Sequence, residues 1–380
     1  MSANPQVQQP QQPRASHPGT QHAAVDVGGS IRQGEDIDAS RVTDWLNDLG
    51  IKVRGTPEVT QYAGGASNWT YRFKYPKAEE GAPTDLILRR PPAGTKAKSA
   101  HDMGREYTVQ SLLKPALPEV PTMVGLCRDP SVIGSEFYVM ERIEGLIPRR
   151  KMPKGVELTE KQARALCEAM WSKLVDLHNV DIESTGLSTL SKGPGYTERQ
   201  VEGWSTRFDK AKTWNVTSFG KVRRWLEANC PADSRLCMIH NDWRMDNLVL
   251  NPQNPTEVIG ILDWELSTIG DPLMDLGGAM AYWTQTDDTK LMRMTQRQPC
   301  TLPGMMSRKE IVDFYMKRNG LEIDNWVFYE VFGLFRLAVI AQQIYYRYFH
   351  KQTRNPMFKN LWILVDYFDW RCKGLIRRNG

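Results

Sequence analysis

Apolar positions are spaced in two different ways along this chain, and the change falls near its first third. From residue 57 to about 143 they come in short alternating or continuous runs: "EVTQYA", "NWTYRFKY", "DLILRRP", "TMVGLC" and "SEFYVMERI". Runs of that length, bounded by Gly, Pro and Asp, predict strands. "DASRVTDWLNDLG" ahead of them has helical spacing, with Asp or Ser at its start and Gly50 at its end. "SAHDMGREYTVQSLL" among them predicts an amphipathic helix carrying His101, Tyr107, Leu112 and Leu113. After "EGLIPRR" the periods become long and helical, at 159–178, 196–212, 216–229, 308–319, 326–350 and 356–373. Short β pieces at 237–239, 248–250 and 257–262 interrupt them. The expected class is α+β and bilobal: a small β-rich lobe over 35–143 and a larger helical lobe over 144–380, hinged near Glu144 and Gly145.

Composition adds boundaries to that picture. Residues 1–34 are rich in Gln, Pro, Gly and Ser and nearly free of large apolar side chains, which predicts a disordered tail. The 380 residues otherwise suffice for a sizeable core in two lobes. Six scattered cysteines with no CxxC pair argue against a disulfide framework or a zinc site and fit a reducing, cytoplasmic setting. No signal-peptide core is visible, and the most apolar stretch is interrupted by Arg336, Gln342 and Gln343, so no membrane partner is expected. The formal charge of +5, from 49 basic and 44 acidic residues, describes a mixed surface, and with no recognisable module no nucleic-acid partner is expected either. Nothing in the chain specifies an oligomeric state.

The candidate chemistry lies in "IHNDWRMDNLVL", residues 239–250, a polar run between two apolar ends. Singly, its Asp and Asn residues are ordinary turn formers. Asp263, however, follows at the end of another apolar strand, where packing cannot account for a carboxylate. Asn247 and Asp263 then suit a Mg²⁺ that bridges nucleotide phosphates, because that ion takes one or two protein oxygens and leaves the rest to phosphate and water. Asp242 is left to accept a proton from an incoming hydroxyl.

"HNDWRMDN" resembles the H-x-D-x-x-x-x-N catalytic loop of protein-kinase-like phosphotransferases, and "LDWE" sits where those enzymes place the aspartate of D-F-G. With "STIGDPLMDL" the run is similar to the aminoglycoside phosphotransferase and choline kinase branch. It is most like the kinase domain fused to some acyl-CoA dehydrogenases. The resemblance spans about residues 50–290 and implies a protein-kinase-like fold, ATP and Mg²⁺, and transfer of the γ-phosphate to a small-molecule hydroxyl. It implies a phosphate-cradling loop at Gly64, Gly65, Ala66, Ser67 and Asn68, with Arg89 in place of the usual lysine, Arg90 on the other face of the strand and Glu106 as the ion-pair partner. Met140 would face the adenine, with the backbone of Glu141 and Ile143 bonding it. His240 is expected to hold the loop rather than carry protons. Trp264 and Glu265 depart from the protein-kinase triplet, Asp271 and Asp275 read as helix-start carboxylates, and Arg244 and Asp246 stand open between substrate contact and solvation.

For the acceptor, residues 281–380 hold 16 basic against 9 acidic residues, which argues for an anionic molecule over a polycationic one. Aromatic residues at helical spacing there (Trp326, Phe328, Tyr329, Phe332, Phe335, Tyr345, Tyr348, Phe349) are expected to be core, with a few free to line an acyl groove. A hydroxyacyl-CoA or another anionic metabolite is the expected acceptor. An aminoglycoside, choline or sugar kinase is the alternative, and a catalytically silent nucleotide-binding scaffold is the alternative of another class.

Overall fold

The computed structural model describes residues 25–26, 28–62, 68–92, 102–323 and 325–379. Helix α1 (Ala39–Asp48) begins at Asp38, whose carboxylate accepts the Ser40 and Arg41 amides. Strands β1 (Val53–Arg54), β2 (Glu58–Gln61), β3 (Trp69–Lys74), β4 (Lys77–Ala78) and β5 (Asp85–Arg90) precede helix α2 (Met103–Leu113), and β6 (Met123–Cys127) and β7 (Phe137–Glu141) follow it. Five strands form one antiparallel sheet in the order β2-β3-β5-β7-β6. Its alternating residues Tyr71, Phe73, Leu86, Leu88, Phe137 and Val139 pack with Val42 and Leu46 of α1 into a separate core.

Two sequence-based expectations change here. The composition of Gly28–Gly34 placed them in an unordered tail, yet they lie along the sheet, with Gly29 bridged to Gln61. Polar main chain needs only a strand edge to pair with, and composition cannot register that. Helix α2 exists, but its buried side is Met103, Glu106, Val109, Gln110 and Leu113, whereas Tyr107 and Leu112 are half-buried and His101 lies outside the described residues. Glu106 and Gln110 were invisible as core residues because they are polar.

The helical part comprises α3 (Glu160–His178), α4 (Tyr196–Ala211), α5 (Gly220–Ala228), β8 (Cys237–Ile239), β9 (Leu248–Leu250), β10 (Val258–Ile261), β11 (Thr268–Gly270), α6 (Pro272–Tyr282), α7 (Lys290–Met294), α8 (Arg308–Asn319), α9 (Trp326–Phe349) and α10 (Leu361–Asn379). Strand β8 pairs with β11, and β9 with β10. Residues 216–219 are not helical as expected: Thr217 is held by Asp366 and Asp369, and Phe219 is buried at positive φ. Likewise α10 starts only after a 3-10 turn at Pro356–Phe358.

Helix α9 is long and apolar enough to cross a membrane by length and composition, but here it is the axis of the core. Phe328, Tyr329, Phe332, Phe335 and Tyr345 are buried, and Gln342 donates to Ala211 O. It packs closely on α6 because both helices carry glycine at the crossing. A Cβ on Gly277 would stand 2.6 Å from Tyr329 O, and one on Gly333 would stand 2.2 Å from Gly277 O. All six cysteines are free.

Candidate active site

The two catalytic-loop ends are set by β8 and β9, and the space between them is turned by Asn241, whose φ of 65° lies in the left-handed region that Asn tolerates better than most residues. Four contacts fix that corner. Its amide and that of His240 donate to the Asp275 carboxylate at 2.9 and 2.8 Å, its side chain donates to Leu266 O at 3.0 Å, and its carbonyl accepts from Arg336. Arg336 reaches it from α9 past Gly278, where a Cβ would meet the guanidinium at 2.6 Å.

Asp275 is fully buried and also bonds His178 Nε2 at 3.1 Å. Burial pushes its pKa up, but His178, His240 and the donated loop amide more than offset this and hold it below the usual carboxylate value. Asp271 and Asp275 both stand at the start of α6, as expected, but in different roles. Asp271 caps α6, accepting Leu273 and Met274 amides, while Asp275, one turn on, clamps the catalytic loop.

His240 has the supporting place expected of it. Its Nδ1 accepts the Asp242 amide at 3.3 Å and its Nε2 meets Leu262 O at 3.0 Å, so the bonds imply a neutral ring with the proton on Nε2. It ties the loop to the residue preceding Asp263. Asp242 Oδ2 accepts from Arg244 at 2.9 Å and from Asn247 Nδ2 at 3.1 Å, and Nδ2 also bonds the Asp242 carbonyl at 2.8 Å. Asn247 thus spends its amide nitrogen on Asp242 and keeps Oδ1 as an acceptor. Asp263 stands at φ 67° at the end of β10, its side chain about a third exposed.

From the sheet, Arg89 closes the constellation. Its guanidinium is 3.6 Å from Glu106, 3.2 Å from Asp263 and 3.4 Å from Glu265. Burial opposes its charge, but Tyr138, Glu106, Asp263 and Glu265 outweigh it and raise its pKa well above the ordinary arginine value. Burial pushes the Glu106 carboxyl up, countered by Arg89 and by the Tyr138 hydroxyl that donates to it at 2.9 Å. Asn68 donates to both Glu106 and Glu265, at 2.9 and 3.2 Å. Glu265 is therefore not a solvated carboxylate, and Arg105 further binds the main chain at Glu265 and Ser267. Gly64, Gly65, Ala66 and Ser67 lie outside the described residues. Arg90 turns away to Ile133 O and the Trp69 ring.

Arg89, Asp242, Asn247, Asp263 and Glu265 line one cleft of about 460 Å³, together with Met140, Glu141, Ile143, Arg244 and Asp246. Glu141 already donates its amide to Thr122 O, so only its carbonyl is left for a base. Arg244, previously open, lies over Tyr282 and between Asp242 and Asp246. Burial disfavours its charge, and the two carboxylates restore it. Burial raises the Asp246 pKa. Arg89 Nε is buried without a hydrogen-bond partner, while Arg244 Nε and Asp246 Oδ1 face one another as an ion pair at 3.4 Å. No group of three or more His, Cys, Asp or Glu able to hold a metal is found among the described residues.

No described residue of 281–380 lines this cleft, so the cationic excess counted there is not part of its lining. Arg308 and Arg371 are paired with Asp288, Lys309 with Asp313 and Lys373 with Asp369. The lining itself carries six carboxylates against four arginines.

A five-stranded sheet bearing an Arg–Glu pair, hinged to a helical part bearing the Asp242, Asn247 and Asp263 set, defines a kinase-like phosphotransferase. Residues 58–311 match the model of the phosphotransferase enzyme family, and the chain belongs to that family of ATP-dependent enzymes acting on hydroxyls of small molecules. It is 34% identical over 308 residues to human acyl-CoA dehydrogenase family member 11, covering 80% of this chain and 38% of that protein. It is 34% identical over 300 residues to mouse acyl-CoA dehydrogenase family member 10, covering 79% and 27%. The chain therefore spans well under half the length of these relatives. Among solved structures, a Ralstonia eutropha protein assigned as an aminoglycoside phosphotransferase superimposes with a TM-score of 0.75 at 25% identity, covering 91% of this chain and all of that one. Choline kinase from Cryptosporidium parvum shares the fold, with a TM-score of 0.59 at 14% identity over 89% and 97% of the two chains.

Proposed function

We propose that this chain transfers the γ-phosphate of ATP to the hydroxyl of an acyl-CoA-type metabolite. The observation that carries the transfer reading is the meeting of Asp242, Asn247, Asp263 and Arg89 in one cleft from three separate segments. Asp242 orients the acceptor hydroxyl and takes its proton, with Arg244 and Asn247 holding the carboxylate in one rotamer. Arg89 balances charge on the phosphates, and positioning does most of the remaining work. Asn247 Oδ1 and Asp263 would hold Mg²⁺, which suits two hard oxygens with phosphates and water completing six positions. That ion would supply positive charge to offset the charge on the transferring phosphoryl group.

Support for the acyl part comes from the likeness to acyl-CoA dehydrogenase family members 10 and 11, not from the charge count. The net acidity of the cleft favours a second reading, a cationic acceptor such as an aminoglycoside. Purified protein with Mg·ATP is assayed against hydroxyacyl-CoAs, sugars, choline and aminoglycosides. Turnover confined to hydroxyacyl-CoAs supports the first reading, turnover confined to the cationic acceptors replaces it with the second, and nucleotide binding without transfer to any acceptor would favour a silent scaffold.

A further inference from the structure

Residues 25–26 and 28–35 run across the hinge end of the cleft. On the sheet side, Gly29 exchanges two main-chain hydrogen bonds with Gln61, at 2.8 and 2.9 Å. The Arg32 amide donates to Gln61 Oε1 at 2.8 Å, and the Tyr71 hydroxyl donates to Glu35 O at 2.7 Å. Gly28, at φ 77°, lets the segment approach, since a Cβ there would stand 2.9 Å from Thr60 Oγ1. On the other side, Val25 packs against the core of the helical part. Asp26 lines the cleft: its carbonyl accepts from Arg142 Nη2 at 2.9 Å, and its carboxylate pairs with Arg149 at 3.0 Å.

Both arginines flank the hinge, Arg142 directly after β7 and Arg149 a few residues beyond it. Asp26 is therefore placed in the cleft beside the hinge arginines, next to the segment that carries Met140, Glu141 and Ile143. Its carboxylate accepts the Gly28 amide at 3.3 Å on Oδ1 and pairs with Arg149 on Oδ2, which leaves each oxygen a lone pair for a further donor, and a nucleotide offers sugar hydroxyls.

We propose that residues 25–26 and 28–35 form a strap that completes the nucleotide site, with Asp26 accepting a hydrogen bond from a sugar hydroxyl and Arg149 positioning it. This rests on the reading of the cleft as a nucleotide-dependent phosphotransferase site. The test uses the full chain, with Asp26→Ala, Asp26→Asn and Arg149→Ala, and with ATP, 2′-deoxy-ATP and 3′-deoxy-ATP. Nucleotide binding is measured directly by calorimetry, and KM and kcat are measured where an acceptor is available.

Losing a hydrogen bond to a charged acceptor is expected to raise the nucleotide Kd and KM about tenfold in Asp26→Ala, with kcat and acceptor KM changed by less than about twofold. Asp26→Asn and Arg149→Ala fall between that variant and wild type. The penalty of Asp26→Ala should vanish with whichever deoxynucleotide lacks the contacted hydroxyl. A penalty of equal size for all three nucleotides, or no penalty, overturns the strap while leaving the phosphotransferase reading intact. Failure of the wild-type protein to bind any of the nucleotides overturns that underlying reading itself.

Discussion

Nη2 of Arg89 lies 3.2 Å from Oδ1 of Asp263, joining a cation of the five-stranded sheet to a carboxylate 174 residues further along the chain. The same guanidinium faces Glu106 and Glu265, so one buried cation serves three carboxylates from two segments. Removing it leaves those charges uncompensated. Arg89→Ala is expected to cost about 3–5 kcal/mol of stability, the usual penalty for breaking a buried pair from one side. Arg89→Lys, which keeps the charge but loses the fork, should fall in between. Denaturant midpoints measure this; an Arg89→Ala protein that unfolds with wild type would show that the cluster contributes nothing to the fold.

Asp242 lies in the cleft with its carboxylate held by Arg244 and Asn247. Asp242→Asn preserves shape and removes the basic oxygen, so kcat should drop by roughly 10²–10⁴-fold. The nucleotide Kd should change little. Single-turnover phosphate transfer and calorimetric titration separate the two quantities, and a normal turnover rate in this variant would remove Asp242 from the chemistry.

Asn247 Oδ1 and the Asp263 carboxylate, whose Oδ1 also meets Arg89, line the same cleft and are proposed to hold the metal. In Mg²⁺, Asp263→Ala should bind ATP more weakly than wild type. In EDTA, the metal-dependent part of the wild-type affinity is lost, and the gap between the two proteins should narrow. Equal affinities in Mg²⁺ would place the ion elsewhere.

The Asp275 carboxylate receives two loop amides and His178, and its pKa in the folded protein is depressed. An amide side chain has one acceptor oxygen where three donors converge. Asp275→Asn is therefore expected to lose about 1.5–3 kcal/mol and to lower kcat with it, because the corner at Asn241 sets Asp242. The sign of the pH dependence follows from the depressed pKa. The carboxylate's contribution is fully present above its unfolded value of about 3.9 and is lost as pH falls through the lower folded value. The stability gap between wild type and variant should stay flat at neutral pH and close only below about pH 4. A gap that closed between pH 5 and 8 would point to a different group.

Much of this was legible in the chain. Strands with period two and helices with period 3.6 appear wherever one face is apolar, so the sheet, α1, α3, α4, α8 and α9 followed from the residues alone. The catalytic loop was legible for a related reason: polar side chains between two buried strands have no packing explanation, and Asp263 repeated the anomaly.

Tertiary structure decided what carries no local pattern. Glu106 and Gln110 occupy the buried face of α2 because partners from other segments satisfy them, and no periodicity registers a polar residue as core. Asp275 differs from Asp271 only in what folds against it. The basic excess near the C-terminus could be counted, but only packing showed that several of its arginines and lysines pair with carboxylates outside the cleft. Asp26 reached the site through main-chain bonds to a sheet edge, which depend on no side-chain type at all. The sequence by itself determined which residue types were available for phosphoryl transfer. The fold decided which of them meet, because a hydrogen bond or ion pair requires proximity, and proximity between residues 26, 89, 242 and 263 exists only once the two parts have closed on one another.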